Sequence, residues 1–255
     1  DRNATPIALF TPDRLGNVGN VIWAADGKSL LVLANDSKST TQSVKRVEAV
    51  SGGKITTLFS IDVAKAPLDR LPELLSISPD GQFVAVALLA GVRTGKGATV
   101  QGIRGVEIWN INSGKKVSSL SLTQSGLLDS QQIAWAPDGS QVALVTGNQS
   151  DTVQIYSVGN GALRSSFKDS AASKQGIGAL SWSPDGAFLA ESTLTIRIWD
   201  VRAHKIVSNF GQVDAQHLIA ALAWSSDSKR LVSATIESFS SSHHTTCTEQ
   251  VWKLF

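Results

Sequence analysis

The sequence predicts an all-β protein built from five repeats of a four-stranded antiparallel unit. Three observations support this prediction. A strand followed by a tight turn with a central Asp recurs along the whole chain, the repeats follow one another at similar intervals, and the segments between the turns alternate apolar and polar residues as strands do. With 255 residues, 42% of them hydrophobic and 17% charged, the chain has the composition of a folded globular protein.

The clearest repeat covers residues 179–200, with the sequence ALSWSPDGAFLAESTLTIRIWD. Pro184 and Gly186 build its first turn, because proline fixes φ and glycine accepts a positive φ. The strands of this unit are expected at 180–183, 188–190, 195–200 and 205–210. Together they form an antiparallel meander of about forty residues.

The strand and turn signature occurs five times along the chain. Its turns are marked by aspartates separated by 54, 58, 47 and 42 residues: Asp26, Asp80, Asp138, Asp185 and Asp227. Third strands are expected at 47–49, 108–110, 155–157, 198–200 and 251–253, and fourth strands at 55–59, 117–122, 162–167 and 206–210. The fifth unit lacks a fourth strand, whereas residues 5–10 read as a fourth strand with no unit before it. We therefore expect these two ends to pair.

The SPDG turn at 183–186 and the Ile198-Trp199-Asp200 tripeptide resemble the WD-repeat family. Other repeats, such as IAWAPDG at 133–139, are equally similar to TolB-type propeller repeats. The resemblance implies a single closed five-bladed β-propeller domain over residues 1–255, in which the N-terminal strand pairs with the C-terminal blade and hides its edge. The four-stranded antiparallel blades are expected at approximately 21–60, 74–122, 131–167, 178–210, and 219–255 plus 5–10.

The seven tryptophans occupy only two positions of the repeat. Four lie in first strands (Trp23, Trp135, Trp182 and Trp224) and three in third strands (Trp109, Trp199 and Trp252), where Tyr156 takes a further such place. Equivalent positions indicate an equivalent role. We therefore predict packing between adjacent blades rather than a platform on which bases or sugars stack.

Charge and hydropathy exclude several classes of partner. The 23 Lys and Arg residues nearly balance 21 Asp and Glu, so the net charge of +2 predicts no nucleic-acid binding. No apolar run is long enough to insert into a membrane. The chain starts at Asp1 and contains no methionine. It is therefore expected to be part of a larger protein, for example the sensor portion of a bacterial signalling protein, in a cytoplasmic or an extracytoplasmic location.

Loop lengths predict where a partner binds. In a propeller of four-stranded blades, the second-to-third and interblade connections share one face of the ring. All long connections belong to this set: 35–43, 61–73, 90–105, 123–130, 168–176, 211–218 and 236–249. Because binding residues concentrate on loops, a protein or peptide partner is expected on this long-loop face.

Two loops supply the candidate binding residues. Arg93, Lys96 and Arg104 surround a Gly-rich segment that lacks the Gly-Lys-Ser/Thr pattern of a phosphate-binding loop, so we interpret them as basic contacts for an acidic partner. His243 and His244 stand close to Cys247, but no second cluster supplies a fourth metal ligand. They are therefore predicted as partner contacts, with no metal and no cofactor.

An enzyme of this fold would need acidic residues that converge on the ring axis. The candidates are scattered over different connections, and their spacing selects no pair: Asp62, Asp69, Glu73, Asp129, Asp169 and Asp214. The prediction is therefore a monomeric, non-catalytic interaction, scaffold or sensing module. The alternative, which the resemblance to five-bladed propellers allows, is a glycoside hydrolase with axial carboxylates.

Overall fold

A computed structural model of the chain describes its fold. It describes residues 17–24, 26–35, 41–50, 53–62, 72–93, 99–122, 132–146, 151–169, 176–214, 217–237 and 247–254. Within these ranges the regular structure is β-strand and α-helix is absent, which confirms the predicted all-β class. The same ranges contain no helix of the length and apolarity needed to cross a membrane.

The chain divides into two compact units, Asp1–Ser119 and Leu120–Phe255. The first unit contains two sheets, the second of which ends just past the boundary. The first sheet has strands β1 (Asn17–Trp23), β2 (Ser29–Asn35), β3 (Thr41–Glu48) and β4 (Ile55–Asp62). The second sheet has β5 (Pro72–Ile77), β6 (Phe83–Arg93), β7 (Thr99–Asn110) and β8 (Lys116–Ser121).

The second unit contains three sheets within the described ranges. The third sheet has β9 (Ile133–Trp135), β10 (Gln141–Thr146), β11 (Thr152–Ser157) and β12 (Leu163–Lys168). The fourth has β13 (Ala179–Trp182), β14 (Phe188–Ser192), β15 (Ile196–Asp200) and β16 (Lys205–Phe210). The fifth has β17 (His217–Trp224), β18 (Arg230–Glu237) and β19 (Cys247–Lys253).

Each sheet is a meander in which the spatial order of the strands follows the chain. Four-stranded antiparallel units are therefore confirmed for the first four sheets. The fifth sheet has three strands among the described residues, and the strand predicted at 5–10 lies outside them. Closure, the count of five blades and the single domain over 1–255 stay predictions.

The turns after the first strands share one hydrogen-bond pattern. The fourth residue of each turn has a φ between 58° and 76°, and its N–H donates to the carbonyl three residues earlier over 2.9 to 3.0 Å. These residues are Gly27, Gly81, Gly139, Gly186 and Ser228. The preceding aspartate accepts the N–H two residues after it, as Asp26 and Asp138 do. The repeated turn predicted from the sequence is thus present in all five sheets described.

The interior of each unit lies between neighbouring sheets. In the first unit, buried side chains of the first and second sheets form one cluster: Ala24, Leu31, Leu33, Val44, Phe59, Val84, Val86 and Ile111. In the second unit, the fourth and fifth sheets contribute Ala190, Ile196, Ile198, Ile219 and Leu231 to another. Apolar residues on facing sheets are thus removed from water, which is the main stabilising contribution to such a fold.

Aromatic rings join adjacent sheets, as the repeat positions of the tryptophans predict. Trp109 stacks on Phe59 of the first sheet at 4.6 Å between ring centroids, and Trp199 lies 4.8 Å from Phe167 of the third. Trp23 differs, because 60% of its surface is exposed. It belongs to the first sheet of its unit, and the described residues of that unit include no earlier sheet that could cover it.

The hairpin of β6 and β7 is longer than expected. Residues 90–105 were predicted as a loop because of their glycines, yet the strands pair out to Arg93 opposite Thr99. The apolar residues Leu89, Val92 and Val100 favour extended backbone and outweigh Gly91 and its neighbours. The predicted loop is therefore mostly paired strand.

Candidate functional site

The structure describes two of the five sequence-predicted binding residues. Arg93 ends β6, and Arg104 is the extra residue of a bulge in β7, since Leu88 pairs with Gly105 and Leu89 with Ile103. Both therefore lie on one hairpin. The other three predicted contacts, Lys96, His243 and His244, lie outside the described residues.

A groove of about 880 Å³ separates the third and fourth sheets, both within the second unit. Turns that follow first and third strands line it, together with the start of β12. It is therefore built from the short connections, at the end opposite to the long second-to-third connections. Its walls contain Ala136, Pro137, Asp138, Ser140, Gln141, Ser157, Arg164, Ser165, Trp182, Asp185, Gly186, Ala187, Asp200, Val201, Arg202 and His204.

The apolar part of the groove is formed by two neighbouring turns. A side chain at Gly186 would place its Cβ 3.5 Å from Cγ of Pro137, so the two turns are almost in contact. Trp182 is buried, and its indole N–H donates to the Gly186 carbonyl over 3.2 Å. This bond fixes the ring beside the turn, where the groove has a rigid apolar wall.

The three aspartates of the groove are held by their own turns. Asp138 accepts from the N–H and the hydroxyl of Ser140, and these two bonds lower the pKa of its carboxyl. Asp185 accepts from the Ser183 hydroxyl at 2.6 Å and from the Ala187 N–H at 3.0 Å. Asp200 likewise accepts the Ala203 N–H at 2.7 Å. Their first role is to close the turns; at the position of Asp200 the second sheet has Asn110, whose side-chain oxygen accepts the Asn112 and Ser113 N–H groups.

The basic side chains of the groove are arranged differently. Arg164, Arg202 and His204 are exposed, and within the described part of the chain none of them forms an ion pair. His204 has a φ of 53°, and its ring lies 5.5 Å from that of Phe167. The groove therefore presents two guanidinium groups and an imidazole to solvent.

A buried ionic cluster lies between the same two sheets, at their other end. Arg197 on β15 forms an ion pair with Asp169, which follows β12, and Glu191 on β14 is the strand partner of Arg197. Only 1% of Glu191 is exposed. The cluster thus joins the third and fourth sheets through charged groups from which water is excluded.

Burial raises the pKa of the Glu191 carboxyl from its ordinary value of 4.5 to about 7. The indole N–H of Trp199 opposes the rise, although it lies outside hydrogen-bonding geometry with either carboxyl oxygen. Nearby Asp169 adds to the rise and Arg197 lowers the pKa. Desolvation is the largest of these effects, because a charged carboxylate is poorly solvated inside a protein.

Among the acids considered for catalysis, the structure brings one into this cluster. Asp169 joins Glu191, a residue that the sequence reasoning did not select, whereas Asp214 is exposed and bonds to His217 at 2.6 Å. Side-chain positions of the remaining four lie outside the description: Asp62, Asp69, Glu73 and Asp129. Loop length does not indicate the groove either, because short turns line it.

Comparisons with known proteins place the chain among propellers. The family model described as "Eukaryotic translation initiation factor eIF2A" matches residues 78–254. WD repeat-containing protein 1 of Mus musculus is 35% identical over 80 residues, which are 31% of this chain and 13% of that protein.

Among solved structures, Kuenenia stuttgartiensis hydrazine synthase superposes with a TM-score of 0.60 over 94% of this chain and 63% of that chain. At 16% sequence identity the likeness shows a shared fold alone. The chain matches less than two thirds of the length of either protein. Together these matches confirm the resemblance to divergent WD-repeat β-propellers.

Proposed function

The chain belongs to the family of the eukaryotic translation initiation factor eIF2A, and we propose that it is a non-catalytic protein-interaction or sensing module of that family. The family match over residues 78–254 carries this proposal. Propellers with WD repeats present side chains from several blades on a rigid frame, which suits recognition of other proteins. Because the family description names a translation initiation factor, components of the translation machinery are the first partners to test.

We propose the long-loop face as the main surface for a protein partner. In the first unit the proposed contacts are Arg93 and Arg104 of the β6–β7 hairpin, and in the second unit they are His243 and His244 of the connection between β18 and β19. Basic side chains there are suited to an acidic partner surface. A signalling context within a longer protein stays a prediction.

Capture experiments with the purified chain test the interaction proposal. The chain is compared with a loop variant in which residues 238–246 are replaced by a short Gly-Ser turn, so that β18 and β19 stay connected. We expect saturable binding of a protein partner that the loop variant weakens. Equal binding by both chains would remove this loop from the partner surface, and the absence of any saturable partner would overturn the proposal as a whole.

A closed ring of five blades is also part of the proposal. The outer strand β19 of the fifth sheet is exposed over most of its length, and Val251 is 69% exposed. A fourth strand at 5–10 would cover this edge and complete the sheet. In the fourth sheet, the start of β15 pairs with the end of β16, as Ile196 does with Phe210.

Counted from Trp252 as from Trp199, the same register would place Phe10 opposite Glu249 of β19. With Cys247, the single cysteine of the chain, replaced by Ser, oxidation of the Phe10→Cys, Glu249→Cys variant should therefore give an internal disulfide, detected as a faster-migrating band in non-reducing gels. Thr5→Cys in the same Glu249→Cys, Cys247→Ser background, at the far end of the predicted strand, is the matched control and should stay reduced. Equal cross-linking of both variants, or of neither, would argue against closure by this strand.

The enzyme alternative has weaker support. Among the residues whose side chains the structure describes, its carboxylate pair would be Glu191 and Asp169, but both side chains are buried, with 1% and 4% exposed. A sugar substrate would have to reach these two carboxyl groups between packed sheets. Interaction is therefore the function we propose.

A further inference from the structure

We infer that the groove between the third and fourth sheets is a second binding site, which takes a short acidic peptide segment with an apolar residue at its centre. This site lies at the short-turn end, so it adds to the proposed long-loop face and does not depend on it. The inference rests on a comparison of equivalent positions in the repeats, on the shape of the groove and on its charges.

The repeats show that the basic side chains are not required by the fold. Arg164 is the extra residue of a bulge at the start of β12, since Ile155 pairs with Ser165 and Tyr156 with Leu163. The same bulge in β16 places Val207 at the equivalent position. An apolar residue thus satisfies the architecture, and the arginine is specific to this groove.

The turn between β15 and β16 has two residues that differ in kind from those of the equivalent turns. His204 has a φ of 53°, where the equivalent turns have Gly114 and Gly161 with φ of 64° and 70°. A histidine at a left-handed position costs energy that glycine does not. By the same alignment, Arg202 stands where the turn after β7 has Asn112. Side chains that are unfavourable or unnecessary for the turn therefore line the groove.

The chemistry of these groups selects a carboxylate ligand. A guanidinium binds a carboxylate through two parallel hydrogen bonds, and neither Arg164 nor Arg202 is in an ion pair within the described ranges. The same groove also contains the apolar wall of Trp182 and Pro137, which suits one apolar side chain. At about 880 Å³ the groove lies in the size range of ligand sites, roughly 300 to 1,000 Å³.

The acidic residues of the walls disfavour a nucleic acid. Asp138, Asp185 and Asp200 keep their negative charges inside the groove while they close their turns. A phosphodiester backbone carries a negative charge at every nucleotide, so it meets more repulsion from these carboxylates than a peptide with two separated acidic residues does. Such a peptide can place its carboxylates beside the arginines and its N–H groups beside the aspartates.

Fluorescence polarisation with a labelled synthetic peptide tests the inference. The probe has one leucine between two single glutamates, and its control has glutamine in place of both glutamates. The protein variants Arg164→Val and Arg202→Asn replace each arginine by the residue of the equivalent repeat position, so both should fold. Arg230→Ala, which removes an exposed arginine of the fifth sheet, is the charge-matched control.

We expect the glutamate peptide to bind saturably and the glutamine peptide at least tenfold more weakly. Each groove variant should raise Kd about tenfold, while Arg230→Ala and the loop variant lacking residues 238–246 should leave it unchanged. Absence of peptide binding, equal Kd values for wild type and the groove variants, or displacement by a single-stranded oligonucleotide would overturn the inference. A protein partner still captured by the chain would show that the long-loop proposal stands without it.

Discussion

The buried carboxyl of Glu191 makes the stability of the fourth sheet depend on pH. Its pKa is raised to about 7 in the folded protein, against an ordinary value of 4.5. Between these two values the unfolded chain ionises the group while the folded protein keeps it neutral. The neutral carboxyl therefore makes its full contribution to the free energy of unfolding below the ordinary pKa of 4.5, and this contribution is lost as the pH rises toward about 7.

The size of this loss follows from the two pKa values. Each tenfold change in an ionisation equilibrium corresponds to about 1.4 kcal/mol, so a rise from 4.5 to about 7 corresponds to about 3 kcal/mol. The Glu191→Gln variant keeps the shape of the side chain and cannot ionise. Relative to wild type, its free energy of unfolding should increase by about 3 kcal/mol as the pH rises from about 4.5 to about 8.

Urea denaturation of both proteins across this pH range measures the difference. Titrating groups that do not interact with Glu191 contribute equally to both chains and cancel, whereas Asp169 and Arg197 are coupled to it. Glu249→Gln removes an exposed carboxyl on β19 and should follow wild type throughout. Parallel pH profiles for wild type and Glu191→Gln would refute the reasoning, because they would mean that Glu191 ionises alike in the folded and unfolded states.

Three further predictions concern packing and turns, and thermal or urea unfolding measures each of them. Trp199→Ala should lower the free energy of unfolding by about 3 to 5 kcal/mol, because the ring is buried against Phe167. Trp23→Ala should lower it clearly less, because Trp23 is exposed, and equal losses would contradict the packing described. Arg197→Met should destabilise by about 3 to 5 kcal/mol, since it leaves the Asp169 charge buried, and a second change, Asp169→Asn, should restore part of the loss. Gly114→Ala should destabilise measurably, because its φ is 64° and the new Cβ would lie 2.5 Å from the Leu58 carbonyl oxygen; an unchanged midpoint would contradict this contact.

The turns and the aromatic contacts were predictable because each depends on local chemistry that recurs. An Asp followed by Gly specifies the turn in four copies and Asp227-Ser228 in the fifth, and a tryptophan at one repeat position meets a neighbouring sheet wherever such a sheet exists. Trp23 shows the limit of this reasoning, since its exposure depends on what precedes its sheet and not on its own segment.

Glu191 could not be predicted from strand alternation. Alternation assigns one face of a strand to the core and the other to water, but β14 is buried at Leu189, Ala190, Glu191 and Ser192 in succession. Both faces of this strand are covered, so a charged residue there is buried whichever way it points. The groove, by contrast, left a signal in the sequence: Arg164 stands where β16 has Val207, and His204 where two other turns have glycine.

The hydrogen bond with which Asp200 closes its turn has a consequence for how the sequence of the turn can change. Asp200 stabilises the turn between β15 and β16 by accepting the Ala203 N–H. The side chains of Val201 and Arg202, which lie between these two residues, are therefore not needed to hold the turn. Substitutions at these places can accumulate one at a time without insertion or deletion. One repeat can therefore acquire binding residues while the other repeats keep residues that only close the turn. Comparison of the repeats then shows which residues differ in the binding repeat.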